Sequence, residues 1–105
     1  MTLKDLKEFP LLQTRTIAAS WDRSPETLRY ISECVNRFYR GDYGDVPQED
    51  VDANNDDLSD GEGYVLARYE GRYNLDSDIY IEAHFSESVA GIDANHIMTM
   101  YCNER

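Results

Sequence analysis

Between Asp42 and Glu62 the sequence holds no lysine and no arginine, and nine carboxylates stand there without a balancing charge. Other absences bound the protein from different directions. No apolar run approaches the ~18 residues of a membrane span, and the N-terminus lacks the hydrophobic stretch of a signal peptide; a cytoplasmic chain with no membrane contact is expected. Cysteine is scarce. Cys34 and Cys102 form no Cys-x-x-Cys pair and have no histidine cluster beside them, which fits two reduced thiols in a cytosolic protein and excludes a disulfide framework or a zinc ribbon. Glycine-rich phosphate loops are missing as well, and neither cofactor nor metal is expected.

What is present suffices for a core. The 105 residues fit a single domain, 1–105, and 41 % of them are apolar and 11 % aromatic, unlike a wholly disordered chain, which combines high charge with few aromatics. Eight tyrosines against three phenylalanines and one tryptophan favour half-buried sheet faces and interfaces, where an apolar ring carries a wet hydroxyl.

Local signals order the elements. Leu3 to Phe9 suggests a short helical turn ending at Pro10, and Leu11 to Ser20, rich in threonine, isoleucine and leucine, reads as a strand. Ser24-Pro25-Glu26 is a helix start: a capping hydroxyl, a proline suited to the first position and an acid at the positive end of the dipole. Leu28, Ile31, Val35 and Phe38 recur at helical spacing, and Gly41 offers a left-handed stop, so a helix is predicted over Pro25 to Arg40. Gly41 to Asp45 is a turn. Pro47 to Leu58 forms a second, weaker helix facing inward with Val51, Asn54 or Asn55, and Leu58. Strands follow at Tyr64 to Glu70, Ile79 to Phe85 and His96 to Cys102, joined by Gly71 to Asp78 and by Ser86 to Asn95. The order β-α-α-β-β-β implies an α+β fold, an antiparallel sheet of about four strands with two helices packed on one face.

Chemistry is hard to place on this frame. A calcium loop begun at Asp56 puts Leu58 and Ala67 where ligands must stand, and one begun at Asp52 puts Asp57 where the glycine must be. A glycosidase-like carboxylate pair needs two acids in different environments across a cleft, which a solvated segment does not provide. His84 and His96 lie on or beside strands with Glu82 on the face of His84, and Ser86 and Ser88 follow. Without a nucleophile on a shaped turn or an oxyanion site they read as surface or rim histidines, and no catalytic residue is assigned.

The acidic block remains: Asp42, Asp45, Glu49, Asp50, Asp52, Asp56, Asp57, Asp60 and Glu62. It carries nine of the net eleven negative charges, leaving the other 84 residues nearly neutral. Such a block attracts cationic surfaces at long range and repels nucleic acid. The plain alternative is a solvated face kept acidic for solubility, against which stands the absence of lysines for i,i+4 pairing.

The run Arg37-Phe38-Tyr39-Arg40-Gly41-Asp42-Tyr43-Gly44-Asp45-Val46, followed by Glu49-Asp50, Asn54 and Leu58, resembles a family of small "plasmid-related" proteins carried by plasmids, prophages and integrated elements of bacteria. Their pattern is a strand and helix, a G-D-W-G-D turn, an E-D-x-x-x-N helix, a glycine, and then strands. Tyr43 stands here for the usual tryptophan, and Gly63 to Tyr69 and Ile79 to Glu82 match the next two strands. The likeness spans about Leu11 to Tyr101 and departs after Glu82, at Ala83-His84-Phe85-Ser86. It implies a mobile-element setting and no agreed activity. The expected function is therefore a small acidic, non-enzymatic protein-binding module of a phage or plasmid, whose tyrosine-rich sheet, with Tyr64, Tyr69, Tyr80 and Tyr101, binds another protein or itself, and the nine acids are the candidate partner-binding residues. The alternative is a nucleic-acid mimic that occupies a basic nucleic-acid-binding protein, similar in size and charge to anti-restriction and anti-CRISPR inhibitors. Neither reading has the protein itself bind nucleic acid, and the oligomeric state is left open.

Overall fold

The computed structural model describes residues 3–21, 24–85 and 95–104; the predicted Ser86 to Asn95 connection, with Ser86 and Ser88, lies outside these residues apart from Asn95. In chain order the elements are α1 (Leu3–Leu6), β1 (Leu11–Gln13), α2 (Arg15–Trp21), α3 (Pro25–Tyr39), α4 (Gln48–Asp60), β2 (Tyr64–Tyr69), β3 (Ile79–His84), β4 (His96–Tyr101) and a closing 3₁₀ turn, Cys102–Glu104. The fold is α+β around one four-stranded sheet of order β1-β4-β3-β2.

Two expectations change. The strand over Leu11 to Ser20 is only three residues long, and a helix takes the rest. Threonine and isoleucine gave the segment its strand character, but Thr14 acts as a helix cap: its hydroxyl accepts the Ile17 N–H at 3.4 Å and its carbonyl the Ala18 N–H at 3.0 Å. Ile17 and Ser20 are then buried on one side of α2, at helical spacing. The sheet is also mixed, because β1 runs parallel to β4 while β2, β3 and β4 pair antiparallel. The tally of two helices rises accordingly.

The strong local signals of α3 are realised. Ser24 accepts the Thr27 N–H, Pro25 opens the helix, and Gly41 leaves it at φ 80°. Its inward face is Thr27, Tyr30, Ile31, Cys34, Val35 and Phe38, whereas Leu28, expected in that stripe, is 49 % exposed. Register places Val65, Ala67 and Tyr69, Ile79, Ile81 and Ala83, and Ile97, Thr99 and Tyr101 on one buried sheet face, whose apolar members share one cluster with Tyr30, Ile31, Cys34, Val35 and Phe38. Tyr69 and Tyr101, expected on a partner-binding face, are thus core residues, because strand alternation turns them under the helices. Among the described residues no helix is long and apolar enough to cross a membrane.

Candidate partner-binding surface

The acidic block is built onto the outer edge of β2. An edge strand leaves a row of unpaired N–H and C=O groups, which invites pairing with other chains. Here the row is closed from within. Asn54, on the inward side of α4 and 5 % exposed, donates to the Leu66 carbonyl at 2.8 Å and accepts the Leu66 N–H at 3.0 Å. One amide side chain thus takes the place of a neighbouring strand, its NH₂ donor and carbonyl acceptor standing side by side as a backbone N–H and C=O would. Two residues on, the Arg68 N–H donates to the Tyr43 carbonyl at 3.0 Å, and the Asp45 N–H donates to the Arg68 carbonyl at 2.8 Å.

That second closure explains the Gly-Asp-Tyr-Gly-Asp turn. Gly44 has φ 72°, and a Cβ there would run into the Arg68 carbonyl oxygen and come within 2.8 Å of the Tyr69 ring. Tyr43 is buried edge-on against Phe38, their centroids 6.1 Å apart. Asp42 accepts the Gly44 N–H at 3.1 Å and takes Arg37 in a fork, Nε at 2.7 Å and Nη2 at 3.3 Å. The Arg37 guanidinium holds the Asp42 carboxyl below the usual aspartate range, with help from the Gly44 N–H, and it lies 5.0 Å over the Tyr69 ring. Arg37, Asp42, Tyr43, Gly44 and Asn54 together lock α3, the turn and α4 against the sheet edge.

With Val51 and Leu58 packed on the core and Asn54 on the edge, the rest of α4 is aimed at solvent. At about 100° per residue, Glu49, Asp52, Asp56 and Asp60 fall within one arc opposite Leu58, and all four are exposed. Asp50 and Asp57 flank the sheet side, half-buried, and line a shallow groove with Ala53, Asn54, Tyr64 and Leu66. Asp45 and Glu62 stand exposed at the two ends of the helix. Eight of the nine predicted acids thus lie on α4 or at its two ends and Asp42 in the turn before it, and two of the nine are partly engaged: Asp42 by Arg37, and Asp52 by the Gln48 amide at 3.0 Å.

The sheet face away from the core carries a feature that sequence reasoning placed differently. His96 is 1 % exposed, not a rim residue, and its ring stacks on His84 at 5.0 Å between centroids and 15° between planes. Tyr64 stacks on the same His84 at 5.8 Å, and the Glu82 carboxylate lies 3.6 Å from His84 Nε2. Alternation placed His84 and Glu82 on one face, but only the register that sets His84 opposite both Tyr64 and His96 makes a column of three rings. Among the described residues no group of three or more His, Cys, Asp or Glu is placed to hold a metal ion.

Comparison of the chain with protein-family models, with curated proteins and with solved structures finds no match.

Proposed function

We propose that this chain is a non-catalytic protein-binding module that presents α4 and its flanking turns to a basic surface of a partner protein, in the bacterial mobile-element setting its resemblance implies. The observation that carries this reading is the outward line of Glu49, Asp52, Asp56 and Asp60 on a helix pinned by Asn54. A pinned helix holds its charges in fixed relative positions, so little ordering cost is left for binding. Fixed like charges also raise the rate of encounter with a cationic partner by a factor of about 10 to 10³ at low salt.

The second reading, a mimic of nucleic acid, draws on the same line. Thirteen helical residues span about 20 Å, the axial length of about six base pairs. Four outward carboxylates over that length are fewer than the phosphates of a duplex, so the mimicry would cover one short stretch of a basic groove.

The test is capture from a bacterial lysate by the immobilised protein and by a variant with Glu49→Gln and Asp52, Asp56 and Asp60 each changed to Asn. Proteins retained by the parent at low salt should elute as salt rises, since exposed charges are screened beyond about 8–10 Å, and should be lost on the variant. Displacement of the retained protein by duplex DNA would select the mimic. Retention that is equal on both surfaces and indifferent to salt would reduce the acidic line to a solubility feature.

A further inference from the structure

The two edges of the sheet are treated in opposite ways. β2 is closed by Asn54 and by the turn at Tyr43 and Asp45, whereas β1 ends the sheet on the other side with no described strand beyond it. The ladder between β1 and β4 is bounded by the Ile97 N–H to the Pro10 carbonyl at 2.9 Å and the Thr14 N–H to the Thr99 carbonyl at 3.1 Å. Strand alternation then turns the N–H and C=O of Leu11 and Gln13 outward, and both residues are exposed. Beside this edge lies an apolar strip. Leu11, 44 % exposed, shares a shallow depression with Ile31, Ser32, Val35 and Asn36; Ser32 also belongs to the next depression, formed with Pro25, Arg29 and the exposed Leu28.

We infer that the β1 edge and the adjoining face of α3 dock a second copy of this chain, extending the sheet across a two-fold axis. This inference stands apart from the reading of the acidic surface. Three features of the molecule favour a copy of itself as occupant. First, antiparallel pairing of β1 with its equivalent is self-complementary, since Leu11 and Gln13 of each copy offer the same donors and acceptors to the other. Second, a two-fold axis normal to the sheet keeps both core faces on one side. The two α3 helices then lie side by side, and Leu28 and Leu11 of each copy leave water together.

Third, the charge distribution leaves this side open to self-association. Nearly all of the excess negative charge sits on α4 and its turns, at the β2 edge. Four strands at about 4.8 Å spacing and a helix about 10 Å thick put α4 roughly 24 Å from the β1 edge. In the dimer the two acidic surfaces are then roughly 50 Å apart, many times the Debye length of about 8 Å, and repel weakly. Any contact made through α4 would instead set nine like charges against nine. A three-residue edge is short, and natural proteins use short edges to discourage pairing. The leucine strip supplies the apolar burial that the edge alone lacks.

Sedimentation velocity on the full chain over a range of concentrations is the test. A species of 12.1 kDa should give way, as concentration rises, to one of twice that mass, and more readily at higher salt, where residual repulsion is screened. That salt dependence is opposite in sign to the one expected for the acidic surface. Leu28→Glu, at an exposed position, should raise the dissociation constant at least about tenfold with no change in the far-UV spectrum. Gln13→Pro, which removes an outward donor, should do the same. Amide exchange at Leu11 and Gln13 should slow with protein concentration in the parent. A monomer that persists to millimolar concentration would overturn the inference, as would a dimer that Leu28→Glu leaves intact or one whose formation leaves the Leu11 and Gln13 amides unprotected.

Discussion

Replacing Asn54 with alanine tests the architecture most directly, because one side chain carries both hydrogen bonds that close the middle of the β2 edge. Each such bond contributes about 0.5–1.5 kcal/mol net, and a donor or acceptor left unpaired under the helix costs about 1–3 kcal/mol more where water does not reach it. The expected loss for Asn54→Ala is about 2–4 kcal/mol, or roughly 10–20 °C in Tm for a domain of this size. Asn55→Ala, one residue away on the exposed side, should stay within about 0.5 kcal/mol of the parent. Asn54→Asp separates hydrogen bonding from packing. The ionised carboxylate keeps the shape and still accepts the Leu66 N–H, but it sets an oxygen against the Leu66 carbonyl that Asn54 now donates to. A carboxyl there has its folded pKa raised by burial and by that carbonyl, so its protonated form, which donates again, returns as pH falls. Relative to Asn54→Ala, Asn54→Asp should therefore gain stability on acidification from pH 7 towards 4. Urea titrations followed by circular dichroism give the free energies, and amide exchange at Leu66 reports the bond itself. Asn54→Ala within about 0.5 kcal/mol of the parent with Leu66 still protected would refute the edge-closing role.

Further consequences follow from the same geometry. Gly44→Ala combines a left-handed φ, worth about 1–2 kcal/mol, with a collision at the Arg68 carbonyl, and a thermal melt should show a larger loss than for Gly41→Ala, expected near 1 kcal/mol. Phe38→Ala empties a fully buried site and should cost about 3–5 kcal/mol in urea unfolding, whereas Leu28→Ala should cost under about 1 kcal/mol. Asp42 is lowered first by Arg37, and Asp78 first by the Gly71 N–H and then by Arg68. Both are stronger acids folded than unfolded, so their stabilising effect is complete above the ordinary aspartate value of about 3.9 and is lost as pH falls through the folded values. Both pairs are partly exposed, so the acid transition should be salt-dependent and should shrink in Asp42→Asn, as read by melts from pH 5 down to 2.

The sequence by itself determined what depends on residues within a turn or two of one another. Ser24 and Pro25 start α3, and Gly41 stops it, because capping and left-handed geometry are settled over three or four residues. Ile79, Ile81 and Ala83 face the core because the strand period allows no other side once one of them is buried. The exposure of Glu49, Asp52 and Asp56 was legible too, since Val51 and Leu58 leave one way for α4 to face. Tertiary structure decided whatever depends on a distant partner. At Leu11 to Ser20 β-branched residues suited a strand, and the helix prevailed because Ile17 and Ser20 are buried together and Ser20 meets the Tyr101 hydroxyl at 2.5 Å. The parallel β1–β4 pairing joins segments some 86 residues apart, far beyond the reach of any local signal. His96 became a buried ring only because register sets it opposite His84. Asn54 shows both levels in one residue. The sequence leaves Asn54 or Asn55 as the polar side chain on the inward face of the helix, and the sheet edge selects Asn54, because its unpaired N–H and C=O make an amide the right group to bury there.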